Sequence, residues 1–209
     1  MSGLVGDNTA RASGVIAGAS ADFVRVTTNT LGSNTTTWTV DNIFSATYDQ
    51  YMVLINARTQ DISNNIYMRF LDNSGSEITS TNYRGFNGGG EGLSGSGNNS
   101  QYKYRWDDSS FQITGAGDSW SDYGGADAVG YQGTWYFYKP NEATGVGSRK
   151  SFYGHHWWNS GADGRVMTGY CSGYYNASDI QSRGFSLYSL ITDGIGAESN
   201  IVVYGLKHA

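Results

Sequence analysis

An all-β, jelly-roll-like antiparallel β-sandwich is the fold this chain predicts, on three observations. First, its 209 residues include 30 glycines and a single proline, Pro140. Chain reversals must therefore be made with glycine, asparagine and aspartate, which tolerate positive φ in tight turns. Second, short segments rich in β-branched and aromatic residues recur along the chain between turn residues, and none has a helical period. Third, 16 tyrosines, 8 phenylalanines and 6 tryptophans supply burial area that the sparse aliphatics do not, so the core is expected to be aromatic. A sandwich of this length is normally one domain.

Residues 1–22 are small and weakly apolar with no period, which is how an extended arm reads. We expect this arm to dock onto a larger assembly, with Leu4, Val5, Arg11, Val15 and Ile16 as its contact residues, ahead of a single domain over 23–209. Strands are expected over Phe23–Thr28, Thr35–Val40, Tyr51–Arg58, Ile66–Leu71 and Glu77–Tyr83. They are expected again over Gln101–Trp106, Phe111–Thr114, Gly133–Lys139, Ser151–Trp158, Val166–Tyr175, Phe185–Ile191 and Asn200–Leu206. Asp72-Asn73-Ser74-Gly75 closes a hairpin, and Asp163-Gly164 and Asp193-Gly194 mark further turns. Tyr51–Ala57 and Ile201–Leu206 are apolar on both faces, which puts them centrally in a sheet or at a subunit contact. Arg84–Ser100 is glycine-rich and serine-rich and reads as a long exposed loop. Residues 123–130 and 141–149 read the same way, giving three loops on a rigid scaffold where a recognition surface could be built.

Charge and cysteine content exclude several function classes. With 13 basic against 18 acidic residues the chain lacks the positive clustering that nucleic acid requires. No apolar run is long enough for a membrane span, and no signal segment opens the sequence. One cysteine, Cys171, allows neither an internal disulfide nor a four-cysteine zinc site.

Catalytic and cofactor motifs find little support, and no cofactor or metal is expected. Gly90, Gly92 and Gly95 fit G-x-G-x-x-G but feed no helix whose N-terminus could meet a phosphate. His155 and His156 are adjacent, so on a strand they point to opposite faces and cannot share a metal. Cys171 in a β core is expected to be buried and inert. Asp107, Asp108, Asp118, Asp122 and Asp127 lie near Trp106 and Trp120, a composition that could bind a sugar, cut one, or ligate calcium. Solvated turn aspartates are the simpler reading, and the calcium-loop series is absent. Trp106, Trp120, Trp157 and Trp158 are the candidate stacking platforms for a polysaccharide. The run Tyr153–Trp158, like Tyr174-Tyr175, would present aromatics on both faces of its strand, one for the core and one for a subunit contact or ligand.

The stretch Thr37-Trp38-Thr39-Val40-Asp41-Asn42-Ile43-Phe44-Ser45-Ala46-Thr47-Tyr48-Asp49-Gln50-Tyr51, followed by the Ile66–Phe70 strand, resembles virion structural proteins of tailed bacteriophages, particularly of marine bacteria. In these a pattern similar to Trp-x-Val-Asp-x-x-Phe-Ser-x-x-Tyr-x-x-Tyr opens the sheet, and Ile201–Lys207 resembles the strand that closes it. The resemblance is weak between Tyr83 and Lys150. It implies a non-enzymatic tail-fibre, appendage or capsid-decoration protein, made in the bacterial cytoplasm and located in the virion. The implied partners are tail, portal or capsid proteins, further copies of the chain, trimers included, and a host surface polysaccharide. No catalytic residues accompany the pattern. A carbohydrate-binding or lectin-like adhesin domain is the alternative.

Overall fold

The computed structural model describes residues 23–59, 66–92, 99–113, 129–142, 150–160, 165–177 and 180–206. Among them are twelve strands and no helix: β1 (Phe23–Thr30), β2 (Thr37–Val40), β3 (Gln50–Thr59), β4 (Ile66–Leu71), β5 (Tyr83–Gly92), β6 (Asn99–Asp108), β7 (Phe111–Gln112), β8 (Val129–Tyr138), β9 (Lys150–Ser160), β10 (Arg165–Tyr175), β11 (Gly184–Ser189) and β12 (Asn200–Leu206). They form two antiparallel sheets packed as a sandwich, with orders β1-β12-β3-β8-β9-β10-β5-β6 and β2-β11-β4-β7.

Eight of these strands make a jelly roll. The four-strand block β1-β12-β3-β8 faces β2-β11-β4-β7, and from one of these eight strands to the next the chain changes sheet, except from β4 to β7, which pair with each other. The remaining four are two hairpins inserted into this plan. β5–β6 enters between β4 and β7, and β9–β10 between β8 and β11; both join the same edge of the larger sheet and double its strand count.

The core between the sheets is aromatic, as the composition predicts. Phe137 of β8 stacks on Phe185 of β11, with centroids 5.5 Å apart and planes 15° from parallel, and Trp135 of β8 meets Phe185 at 6.1 Å. Tyr83 is fully buried; its hydroxyl accepts from the Phe70 amide (3.0 Å) and donates to the Ile78 carbonyl (2.8 Å). Tying β4 to the start of β5 in this way satisfies a phenol that would otherwise be costly to bury.

The stretch from Trp38 to Tyr51 is a structural joint between the sheets. Trp38 donates its indole N–H to Asn29 of β1 (2.9 Å), and Phe44 packs edge-on against Tyr51 (4.9 Å) and near Phe137 (5.1 Å). The Tyr51 hydroxyl donates to the Ser45 carbonyl (2.9 Å) and accepts from the Ser45 amide (2.7 Å). Asp41 takes a two-pronged ion pair from Arg183 (2.7 and 2.9 Å), fastening the end of β2 to the chain entering β11. Gly184 is required there, because a Cβ would stand 2.2 Å from the Val40 carbonyl oxygen. Gly184→Ala is expected to force β11 away from β2 and cost about 1–3 kcal/mol, as overpacking does. A urea midpoint within error of the parent would contradict this.

Most strand expectations hold with boundaries moved by a few residues. Tyr51–Ala57 and Ile201–Leu206 are indeed neighbouring inner strands, as β3 and β12, and the closing strand is integral to the sheet. Three expectations need correction or narrowing. Arg84–Ser100 is not one exposed loop: β5 runs to Gly92 and β6 starts at Asn99, leaving only 93–98, which lie outside the described residues. Serial glycines misled because a hydrogen-bonded ladder to β10 along all of β5 supplies the order that side chains do not. Glu77–Tyr83 is likewise no strand. The Asp72–Gly75 turn is present, with the Asp72 carboxylate accepting from the Ser74 and Ser76 amides (2.8 and 3.0 Å), but the return is only the Leu71–Glu77 bridge. The arm over 1–22, the turn Asp163-Gly164, and residues 123–128 and 143–149 lie outside the described residues, whereas Val129 and Gly130 open β8.

Candidate functional site

The outer face of the eight-stranded sheet carries the candidate site. Strand alternation sends Tyr51, Val53, Ile55 and Ala57 of β3 inward and leaves Met52, Leu54 and Asn56 outside. Antiparallel register then aligns outer positions of successive strands into rows. One row runs Asn200, Asn56, Gln132, Trp157, Thr168 across β12, β3, β8, β9 and β10. The next runs Val202, Leu54, Thr134, His155, Tyr170 across the same strands.

Apart from Val202, these two rows floor a groove of about 760 Å³, lined by residues that include Leu54, Asn56, Gln132, Thr134, His155, Trp157, Thr168, Tyr170 and Asn200. Trp157 is 39% exposed and Tyr170 48%. Among the described residues that line the groove there is no carboxylate, lysine or arginine. A third row forms a rim beside it. Tyr136 and Tyr153 stack there (5.0 Å, 19°), and Phe86 lies between Tyr104 (4.9 Å) and Tyr170 (5.3 Å). Beyond the rim is a smaller hollow of about 350 Å³ lined by residues that include Arg84, Ser151, Ser172 and Tyr174.

The sequence-based candidates are placed unevenly. Trp157 stands in the groove. Trp106 and Trp158 belong to β6 and β9, but their side chains, and all of Trp120, lie outside the described residues. The same holds for the Asp107 side chain and for Asp118, Asp122 and Asp127. Asp108 is described: it accepts a hydrogen bond from the Ser109 amide (2.7 Å) in an ordinary turn. No group of three or more His, Cys, Asp or Glu suited to a metal occurs among the described residues. Tyr170, Asn56, Gln132 and Asn200 were not singled out from the sequence. The available signal was their outward phase in otherwise apolar strands, which acquires meaning only once the strands are neighbours.

His155 and His156 do face opposite ways. His155 is exposed in the groove; His156 is buried on the inner side, its ring 5.6 Å from that of Tyr131. Burial, and secondarily the neighbouring His155, depresses the His156 imidazole to a pKa of about 4. Cys171 is buried opposite Gly154, and desolvation pushes its thiol up to about 12, the setting of an inert thiol. Directly opposite His155 is Tyr170, not Cys171, so these residues do not form a thiol–imidazole pair.

Fold and groove together define a class: a jelly-roll sandwich with one sheet widened by inserted hairpins into an open, aromatic-bearing face, whose groove has no carboxylate, lysine or arginine among its described lining residues. No protein-family model matches the chain, and neither curated proteins nor solved structures provide a match.

Proposed function

We propose that this protein is a non-enzymatic surface component of a tailed-phage virion, an appendage or capsid decoration, whose widened sheet meets the host surface. The observation that carries the recognition role is the groove itself: side chains able to bind are set on rigid strands, with no acid–base pair among the described residues lining them. The virion setting rests on the resemblance of the Trp38–Tyr51 stretch and of the closing strand, and residues 1–22 act as the docking arm.

The test has two parts. Mass spectrometry of purified particles should find the chain, and immunogold labelling should place it on tail or head; deletion of residues 1–22 should abolish incorporation while the isolated protein stays folded. Added soluble protein should also slow adsorption of particles to host cells. Absence from particles overturns the virion role, and undiminished adsorption at saturating protein overturns recognition.

Self-association is a second reading, favoured by the exposed rings of the rim, Tyr104 at 77% and Tyr153 at 57%. Sedimentation of the wild type against Tyr104→Ser/Tyr153→Ser decides it: a closed oligomer lost in the variant supports the contact, and a wild-type monomer removes it.

A further inference from the structure

We infer that the groove takes a neutral polysaccharide chain laid across the strands, an inference that rests on the outer face being the recognition surface. Its shape comes first. The floor spans five strands, β12 to β10, about 19 Å at the usual strand spacing. That is the reach of an oligosaccharide segment rather than of a single sugar, and the long axis follows the rows of cross-strand neighbours.

The chemistry of the floor selects the ligand. At the β9–β10 end Trp157 and Tyr170 are diagonal neighbours with half-open rings, surfaces on which the C–H face of a pyranose packs. From β12 to β8 the first row is a line of carboxamides, with Asn200 opposite Asn56 and Asn56 opposite Gln132. Each amide both donates and accepts, which matches hydroxyls that do the same. Thr134 and Thr168 add two more such groups beside the rings.

Charge argues against other occupants. An acidic polymer or nucleic acid would need lysine or arginine to offset the net charge of -5, and none is among the described lining residues. A protein partner would favour a more apolar centre than this row of amides provides.

Affinity electrophoresis and isothermal titration of the full chain test the inference. The probes are a mannan, a β-glucan and a galactan, two acidic polymers (alginate and hyaluronate), and neutral polysaccharide released from host envelopes. At least one neutral polymer should bind, the acidic ones should not, and Trp157→Ala should weaken binding by about tenfold or more. Gln132→Ala, an exposed change that leaves the rings intact, should weaken it by a smaller factor at unchanged thermal midpoint. Preference for the acidic polymers, or neutral binding untouched by either substitution, overturns the inference. If the protein coats host cells through Trp157 but binds no glycan, and periodate treatment of the cells changes nothing, the ligand class is wrong while the recognition face stands. If it does not coat cells at all, both fall.

Discussion

Replacing Trp135 by alanine is expected to cost about 3–5 kcal/mol of folding stability, the largest loss we anticipate from a single substitution. Trp135 is fully buried on β8, where the original jelly-roll sheet ends and the inserted hairpins begin. Its indole packs among Phe137 (6.3 Å), Phe152 (5.9 Å) and Phe185 (6.1 Å), so it joins both sheets and the adjoining inserted strand β9. Gly154 exists to make room for it, since a Cβ there would lie 2.3 Å from the indole Cδ1. Truncation would leave a cavity that stacked neighbours cannot fill, and would strip the buried Tyr131 hydroxyl of the indole N–H it accepts (3.1 Å). For a chain of this size the thermal midpoint should fall by roughly 6–20 °C. Trp135→Phe should recover much of the loss. A change below about 1 kcal/mol for the alanine variant would mean that the hairpin is not anchored through this side chain.

Acidification should expose the second large effect. His156 has its folded pKa lowered to about 4 from an ordinary 6.5, so the unfolded chain binds the proton more readily. The stabilising contribution is therefore complete above pH 6.5 and is lost as pH falls toward 4, where the folded imidazole also protonates. Integrated over that window it is on the order of 3 kcal/mol. Urea midpoints of the wild type should fall more steeply between pH 6.5 and 4 than those of His156→Gln, which lacks the histidine's share of the pH dependence. Parallel curves for the two proteins would show that His156 is accessible to protons in the fold.

These two sites bear on the candidate function because they lie directly beneath it. His156 sits between His155 and Trp157 in β9, and the backbones of His156 and Gly133 line the groove floor. The inner packing of β8 and β9 thus sets the height and pitch of the outer rows. A core variant that loosens β9 should weaken binding without touching a ligand-facing side chain, whereas Trp157→Ala should weaken binding without unfolding the domain.

The sequence by itself was sufficient for the fold class, for nearly every strand and for the aromatic core. Those features depend on local information: alternation in Thr37–Val40, turn chemistry at Asp72–Gly75 and Asp193–Gly194, and aromatic residues in β-forming runs. It also placed His155 and His156 on opposite faces, which follows from strand geometry alone. It failed at β5, because Gly85, Gly88, Gly89 and Gly90 carry no side-chain pattern and their order comes from partners on β10 and β6.

Only the tertiary structure decided that both inserted hairpins extend one sheet, and so where the groove lies. Asn56, Gln132, Trp157 and Thr168 come from four strands spread over more than half of the chain, and nothing within any one of them marks it as a neighbour of the others. Pairing in an antiparallel sheet is set by register between distant segments, through backbone bonds that every residue but proline can make. A surface assembled from such pairings therefore appears only when the strands are brought side by side.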